Sequence, residues 1–181
     1  MKRRVRTCYN CGVHTWALLL SLLAQSGTEQ VQINAPFVTT PPAVVDAMLR
    51  VAGVTARDVV YDLGCGDGRI VIAAAKRYGA HGVGIDLNPE RIQEARANAR
   101  KAGVESLIRF RVEDLFAADI HAATVVTLYL LPDVNLRLRG KLLNDLKPGA
   151  RVVSHDFHMG AWKPLKEQIA GGSHIYLWTI P

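Results

Sequence analysis

Apolar residues along this chain recur at two spacings, and the spacings alternate in a way that writes out strands and helices in turn. Val59, Val60 and Tyr61 form a β-branched and aromatic run suited to a buried strand. Ile70 to Tyr78 then reads as a helix closed by Gly79, and Gly82 to Asp86 as a second strand. Pro89 sits at the first position of an alanine-rich helix, Glu90 to Ala102, behind Asn88 as its cap. Leu107 to Val112 alternates as a third strand, and Thr124 to Leu130 is a continuous apolar run, as expected of a central parallel strand covered on both faces. Val134 to Leu146 is helical up to Lys147-Pro148-Gly149, and Ala150 to Ser154 gives a fifth strand that delivers His155 and Asp156 to its tip. Leu165 to Ala170 and His174 to Ile180 flank Gly171-Gly172-Ser173 and predict a hairpin. Ahead of all these, Val44, Val45, Met48, Leu49 and Ala52 recur at helical spacing before Gly53. The pattern predicts an α/β protein with a mostly parallel sheet and a C-terminal antiparallel pair.

The turn after the first strand carries the chemistry. Its sequence is Asp62-x-Gly64-x-Gly66-x-Gly68, which lets the chain bend sharply into a helix and lets a ligand sit against bare main chain. A dinucleotide fingerprint has a different spacing, Gly-x-Gly-x-x-Gly, and places a helix N-terminus against a pyrophosphate. Here an acid precedes the first glycine. It would repel a pyrophosphate but suits a cation such as the ammonium and sulfonium of S-adenosylmethionine (SAM). Asp86 closes the second strand eighteen residues after Gly68, where a carboxylate can accept both ribose hydroxyls.

The turn, Asp86 and the Glu113-Asp114-Leu115 step after the third strand together resemble the class I SAM-dependent methyltransferases. Pro36-Phe37-Val38-Thr39-Thr40-Pro41 and Asp67-Gly68-Arg69-Ile70-Val71-Ile72-Ala73-Ala74-Ala75-Lys76 resemble a narrower group. These are the small mitochondrial-type protein-lysine methyltransferases that modify the ATP synthase c subunit and the adenine nucleotide translocase, with their bacterial relatives. The resemblance implies a Rossmann-like class I fold with a seven-stranded sheet and helices on both faces, with SAM as cofactor. It implies a cofactor site drawn from Phe37, Thr39, Thr40, Asp62, Gly64, Cys65, Gly66, Asp86, Leu87, Asp114 and Leu115, with the Phe37 to Thr40 stretch as a lid. Asp114 is the better of the two acids after the third strand to receive the adenine amino group. A protein lysine is the implied acceptor.

Beyond the fourth strand, Tyr129, Pro132 and His155 are the candidates for an acceptor channel. Base-amine methyltransferases carry Asn or Asp, Pro, Pro and an aromatic there. This chain has Tyr129-Leu130-Leu131-Pro132-Asp133 instead, which fits a narrow apolar channel for an alkyl amine. The alternatives are a small-molecule methyltransferase, a nucleic-acid methyltransferase or a SAM-binding protein without catalysis.

At 181 residues and 49% hydrophobic, the chain is long enough for one well-buried core. The expected organisation is a basic and apolar leader over residues 1–26, an extended lid over 27–42 and the methyltransferase domain over 43–181. The net charge is +6, but Lys2, Arg3, Arg4 and Arg6 against Glu29 give residues 1–34 half of it. The remainder is not strongly basic, which argues against nucleic acid as partner. Cys8, Cys11 and Cys65 make no disulfide framework, and Cys8-x-x-Cys11 lacks a second pair, so no metal site is expected. Val13 to Ala24 is signal-like, yet a helix of it would span about 18 Å, short of the roughly 30 Å hydrocarbon layer. SAM is made from ATP in the cytosol, so the expectation is a cytoplasmic enzyme whose leader leans on a membrane, with export as the alternative.

Overall fold

The structure is a computed structural model that describes residues 38–181. The 1–26 leader with its Cys8-x-x-Cys11 pair, most of the 27–42 segment and Phe37 lie outside the described residues. Five strands run parallel: β1 (Val59–Leu63), β2 (His81–Asp86), β3 (Ile108–Val112), β4 (Val125–Leu128) and β5 (Arg151–His155). The C-terminal hairpin of β6 (Lys166–Ala170) and β7 (Ser173–Thr179) completes, among the described residues, one seven-stranded sheet of order β3-β2-β1-β4-β5-β7-β6. β7 is antiparallel to both its neighbours. The order reverses between β1 and β4, which opens a crevice beyond their carboxyl ends.

Four helices cover the sheet among the described residues: α1 (Pro42–Val51), α2 (Arg69–Tyr78), α3 (Pro89–Lys101) and α4 (Pro132–Asp145). The caps follow the sequence chemistry, with Pro at the first turn of α1, α3 and α4 and the Asn88 side chain accepting the Glu90 N–H. α1, α2 and α3 share one apolar cluster with Val60, Val125, Val153 and Ile175. The neighbour of Val153, Ser154, bonds instead to Asn135 of α4. Since successive strand residues point to opposite faces, α4 covers the other side. The predicted layering is therefore present.

Most element ends shift by one or two residues from the sequence pattern, and two of the differences have a clear physical cause. β4 stops at Leu128 rather than Leu130, because its partner β1 ends at Leu63 and turns away at Gly64, and because Pro132 opens α4 directly. Tyr129, Leu130 and Leu131 leave the sheet. Leu107 belongs to a short 3-10 turn, Glu105–Leu107, that feeds β3.

Gly84 of β2 marks the tightest packing beneath the crevice. A Cβ there would lie 2.6 Å from Phe110 Cδ1 and 2.8 Å from Cys65 Sγ. Gly84→Ala is expected to destabilise the fold by about 1–3 kcal/mol through overpacking, read as a lowered midpoint in urea with an unchanged slope.

Candidate active site

The glycine turn is held open by its own hydrogen bonds. Gly64, Gly66 and Gly68 take φ of 83°, 51° and 79°, which a side chain would strain. The N–H groups of Gly64 and Cys65 both donate to Ile85 O, at 2.8 and 2.9 Å, and lash the turn to β2. Gly66 N–H donates to Asp86 Oδ2 at 2.9 Å, and Asn88 N–H to Asp86 Oδ1 at 2.9 Å. Each Asp86 oxygen therefore keeps accepting capacity for a further donor. On the far side of the turn Arg69 grips Asp67 with two nitrogens, at 3.0 and 2.6 Å, and donates to Thr40 O at 2.9 Å. That clamp ties the segment before α1 to the turn.

Asp62 is the anomaly. It is 3% exposed, and Thr127 Oγ1 donates to its Oδ1 at 2.7 Å. Burial pushes its carboxyl up to about 7; the Thr127 hydrogen bond opposes this, and the charged groups acting on it, Asp86 and Asp67, are both acids. At the amino end of the same strand Asp58 is also buried, but there Thr55, Thr124 and the Arg151 guanidinium satisfy it. The contrast singles out Asp62 as a buried acid that lacks a cation among the described residues.

The other cofactor candidates separate by position. Thr40 is buried, with its hydroxyl 3.2 Å from His155 Nδ1, whereas Thr39 is exposed. The Cys65 thiol turns into the core against Gly84, burial raises its pKa, its main-chain N–H is spent on Ile85 O of β2 and its C=O on the Gly68 N–H. Leu87 is 46% exposed beside Asp86, where an apolar side chain invites a planar ring. Glu113 lies 3.3 Å from Arg111, while Asp114 uses one oxygen on Phe116 N–H, at 2.9 Å, and leaves the other. Leu115 is buried beneath them.

At the tips of β4 and β5 the Tyr129 ring stacks on His155, centroids 3.8 Å apart, and lies 6.4 Å from Phe157 on a near-parallel plane. Burial holds His155 below the ordinary imidazole range, against the pull of Asp156. Its Nε2 lies 3.3 Å from Asp156 Oδ2 but finds no aligned hydrogen-bond partner among the described residues. Asp156 has φ of 60°, held by N–H to His174 O at 2.8 Å and by His174 N–H to its Oδ1 at 2.9 Å. Pro132 is exposed at the start of α4 and makes the chain turn rather than joining this stack. Asn135, fully buried, donates to Ser154 Oγ at 3.1 Å and to Phe157 O at 3.2 Å, which fixes the segment carrying Phe157. The sequence pattern does not point to Thr127, Asn135 or the Arg69 clamp; the signal for Asn135 is a polar residue on the apolar Leu138 and Leu142 stripe of α4.

These residues lie within a recognised family. The model of the ANTKMT methyltransferase domain matches residues 62–166, from the acid before the turn to the start of β6. The chain belongs to that family. It is 47% identical over 152 residues to a protein-lysine N-methyltransferase of Saccharolobus islandicus, covering 81% of this chain and 94% of the relative. It is 32% identical over 167 residues to the mouse adenine nucleotide translocase lysine N-methyltransferase, covering 91% of this chain and 71% of the relative. Among solved structures, an RNA methyltransferase from Salinibacter ruber in complex with S-adenosyl-L-homocysteine shares 57% identity at a TM-score of 0.79, covering 80% of this chain and 94% of that one. This ANTKMT-family member is a SAM-dependent methyltransferase with the Rossmann-like class I fold.

The donor set fits SAM. A carboxylate at the tip of β2 with spare acceptors suits a ribose diol, and a buried acid without a cation suits the positive end of the cofactor. Binding a cation must draw Asp62 toward its ionised form and release its proton. Affinity for SAM is therefore expected to fall as pH drops from about 7 to about 5, by up to tenfold per unit, and to level off above about 7. Asp62→Asn should flatten this profile and weaken binding at pH 8. Without ligand the sign reverses. A carboxyl raised in the fold gives stability that is full below its unfolded value near 3.8 and is lost as pH passes 7. The Asn variant should thus be more stable than the parent at pH 8 and equal to it at low pH, as thermal melts will show.

Proposed function

We propose that this enzyme methylates the side-chain amine of a lysine in a protein. The observation that carries the reading is the Tyr129 ring, propped by His155 and flanked by Phe157, beside the half-buried Asp156 at the tips of β4 and β5. SAM supplies an electrophilic methyl group on a sulfonium. The protein must then present an amine with its lone pair available. The Asp156 carboxylate attracts the incoming ammonium, and the aromatic walls strip its water, which offsets the carboxylate's upward pull on the amine pKa; the proton passes to solvent, and the free lone pair forms the N–CH3 bond as the S–CH3 bond of the cofactor breaks. Neutral His155, whose Nε2 lies 3.3 Å from Asp156 with no aligned hydrogen-bond partner among the described residues, keeps the Tyr129 ring in place and adds no competing positive charge. Most of the rate enhancement comes from alignment of amine and methyl, for which the Arg69–Asp67–Thr40 clamp and Asn135 hold the two walls.

The names of two relatives, protein-lysine and adenine nucleotide translocase lysine methyltransferases, support this acceptor. The Salinibacter relative is described as an RNA methyltransferase, which gives the second reading, RNA as acceptor. Absence of the Asn-Pro-Pro-aromatic step after β4 weighs against it. Incubating the enzyme with methyl-labelled SAM and fractionated lysate separates the two. Label in protein, recovered as methyl-lysine after hydrolysis, supports the proposal, and label confined to RNA overturns it.

A further inference from the structure

The molecule carries a second concave feature away from the crevice. Between α3 and the outer edge of β3 lies a groove of about 490 Å³ walled by Arg96, Arg100, Arg109 and Arg111, with Glu105 as its acid. Arg96 donates to Phe110 O at 2.9 Å, and Arg111 donates to Asp119 O at 3.1 Å and lies 3.3 Å from Glu113. Arg100 and Arg109 are exposed and make no hydrogen bond or ion pair with any described residue. Guanidinium groups left without carboxylates around a concavity form a receptor for anions, since their planar forks donate paired hydrogen bonds to carboxylate or phosphate oxygens.

Two features choose between those anions. Phe110, the aromatic of the groove, is 8% exposed, so the walls offer no platform on which a base could stack. The positive charge is also local, because Glu90, Glu94, Glu113 and Asp114 lie nearby in sequence and cut off a longer basic track of the kind a polynucleotide follows. β3 is the edge of the sheet, and Arg96 already occupies the outward carbonyl of Phe110, so an added strand would find that acceptor taken. Side-chain carboxylates remain the fitting occupant.

We propose that the α3–β3 groove docks an acidic segment of the protein acceptor, at a distance from the lysine that is methylated. The inference rests on the protein-acceptor reading above. The groove and the Tyr129 stack lie three strand spacings apart, roughly 14 Å across the sheet, and Arg109 is level with Val126, so Tyr129 is a further roughly 10 Å along the strands. An extended acceptor covers the resulting span of roughly 17 Å with at least about five residues. An acidic run that far from the target lysine would be held at Arg100 and Arg109 while the lysine enters over Tyr129.

The test is fluorescence anisotropy on the full chain with a fluorescein-labelled peptide of six glutamates, five neutral residues and one lysine. It needs no turnover, so its failure leaves lysine methylation to be judged by label transfer alone. The peptide is expected to bind, to bind several-fold less tightly as salt rises from 50 to 300 mM, and to lose at least about tenfold in affinity with Arg100→Glu and Arg109→Glu together. Both side chains are exposed and unpaired with described residues, so that variant should melt with the parent. Equal binding by parent and variant, or none by the parent, overturns the proposal. So does a twelve-nucleotide oligouridylate that binds in the peptide's place with the same sensitivity to the two substitutions.

Discussion

Replacement of Asp86 by alanine is expected to reduce affinity for SAM by at least about a hundredfold. In the ligand-free fold this carboxylate already anchors the Gly66 and Asn88 N–H groups, at 2.9 Å each, so it is immobile before ligand arrives. A fixed anion accepting two hydroxyls makes two charge-assisted hydrogen bonds, each worth roughly 1.5–3 kcal/mol. Losing both gives about two to four powers of ten. Alanine also frees Gly66, so the turn loses one of its ties to β2. Glu113→Ala is the matched control, since that acid pairs with Arg111 and should shift SAM affinity by less than about threefold. Calorimetric titration of both variants checks the pair.

The second large effect belongs to the acceptor side. Tyr129→Ala is expected to lower kcat/KM for the protein acceptor by about 10- to 100-fold, while SAM affinity changes by less than about threefold. The ring fills the space between His155 and Phe157 and is raised in pKa by its own burial and by Asp156. Without it, water enters beside Asp156, and an ammonium there stays solvated and protonated. Tyr129→Phe keeps the stack and removes only the hydroxyl, so it should retain most activity. Steady-state kinetics with each variant, alongside SAM titration, separates a wall from a proton donor: comparable losses in Phe and Ala variants would assign the work to the hydroxyl.

Most of the fold could be read from local pattern because the signals are local. Pro89 behind Asn88, Gly79 after Tyr78 and the glycine turn after Leu63 each specify a boundary through the dihedral angles of one or two residues. Asp62 and Asp86 stood out because their spacing from the glycines is itself the motif. Less legible was anything that depends on pairing across the sheet. Thr127 meets Asp62 because β4 lies beside β1 in one register, although the partners are 65 positions apart in the chain. Asn135 reaches Ser154 and Phe157 only once α4 has packed beyond β5. The end of β4 is hidden for the same reason: Tyr129 and Leu130 are apolar enough for a strand, and what stops them is the departure of β1 at Gly64. Leu130 then packs so closely over that glycine that a Cβ there would sit 2.7 Å from its Cδ2.

Placement of the adenosine decides the rest, since every assignment on the acceptor side assumes that the methyl end points across the glycine turn toward Tyr129. The most direct measurement is the distance between the Asp86 carboxylate and the two ribose oxygens in a crystal of this enzyme with S-adenosyl-L-homocysteine. Both oxygens are expected at about 2.5–2.7 Å, as for hydroxyls held by a carboxylate. A ribose beyond hydrogen-bonding reach of Asp86, with the nucleoside lodged elsewhere in the crevice, would contradict the account.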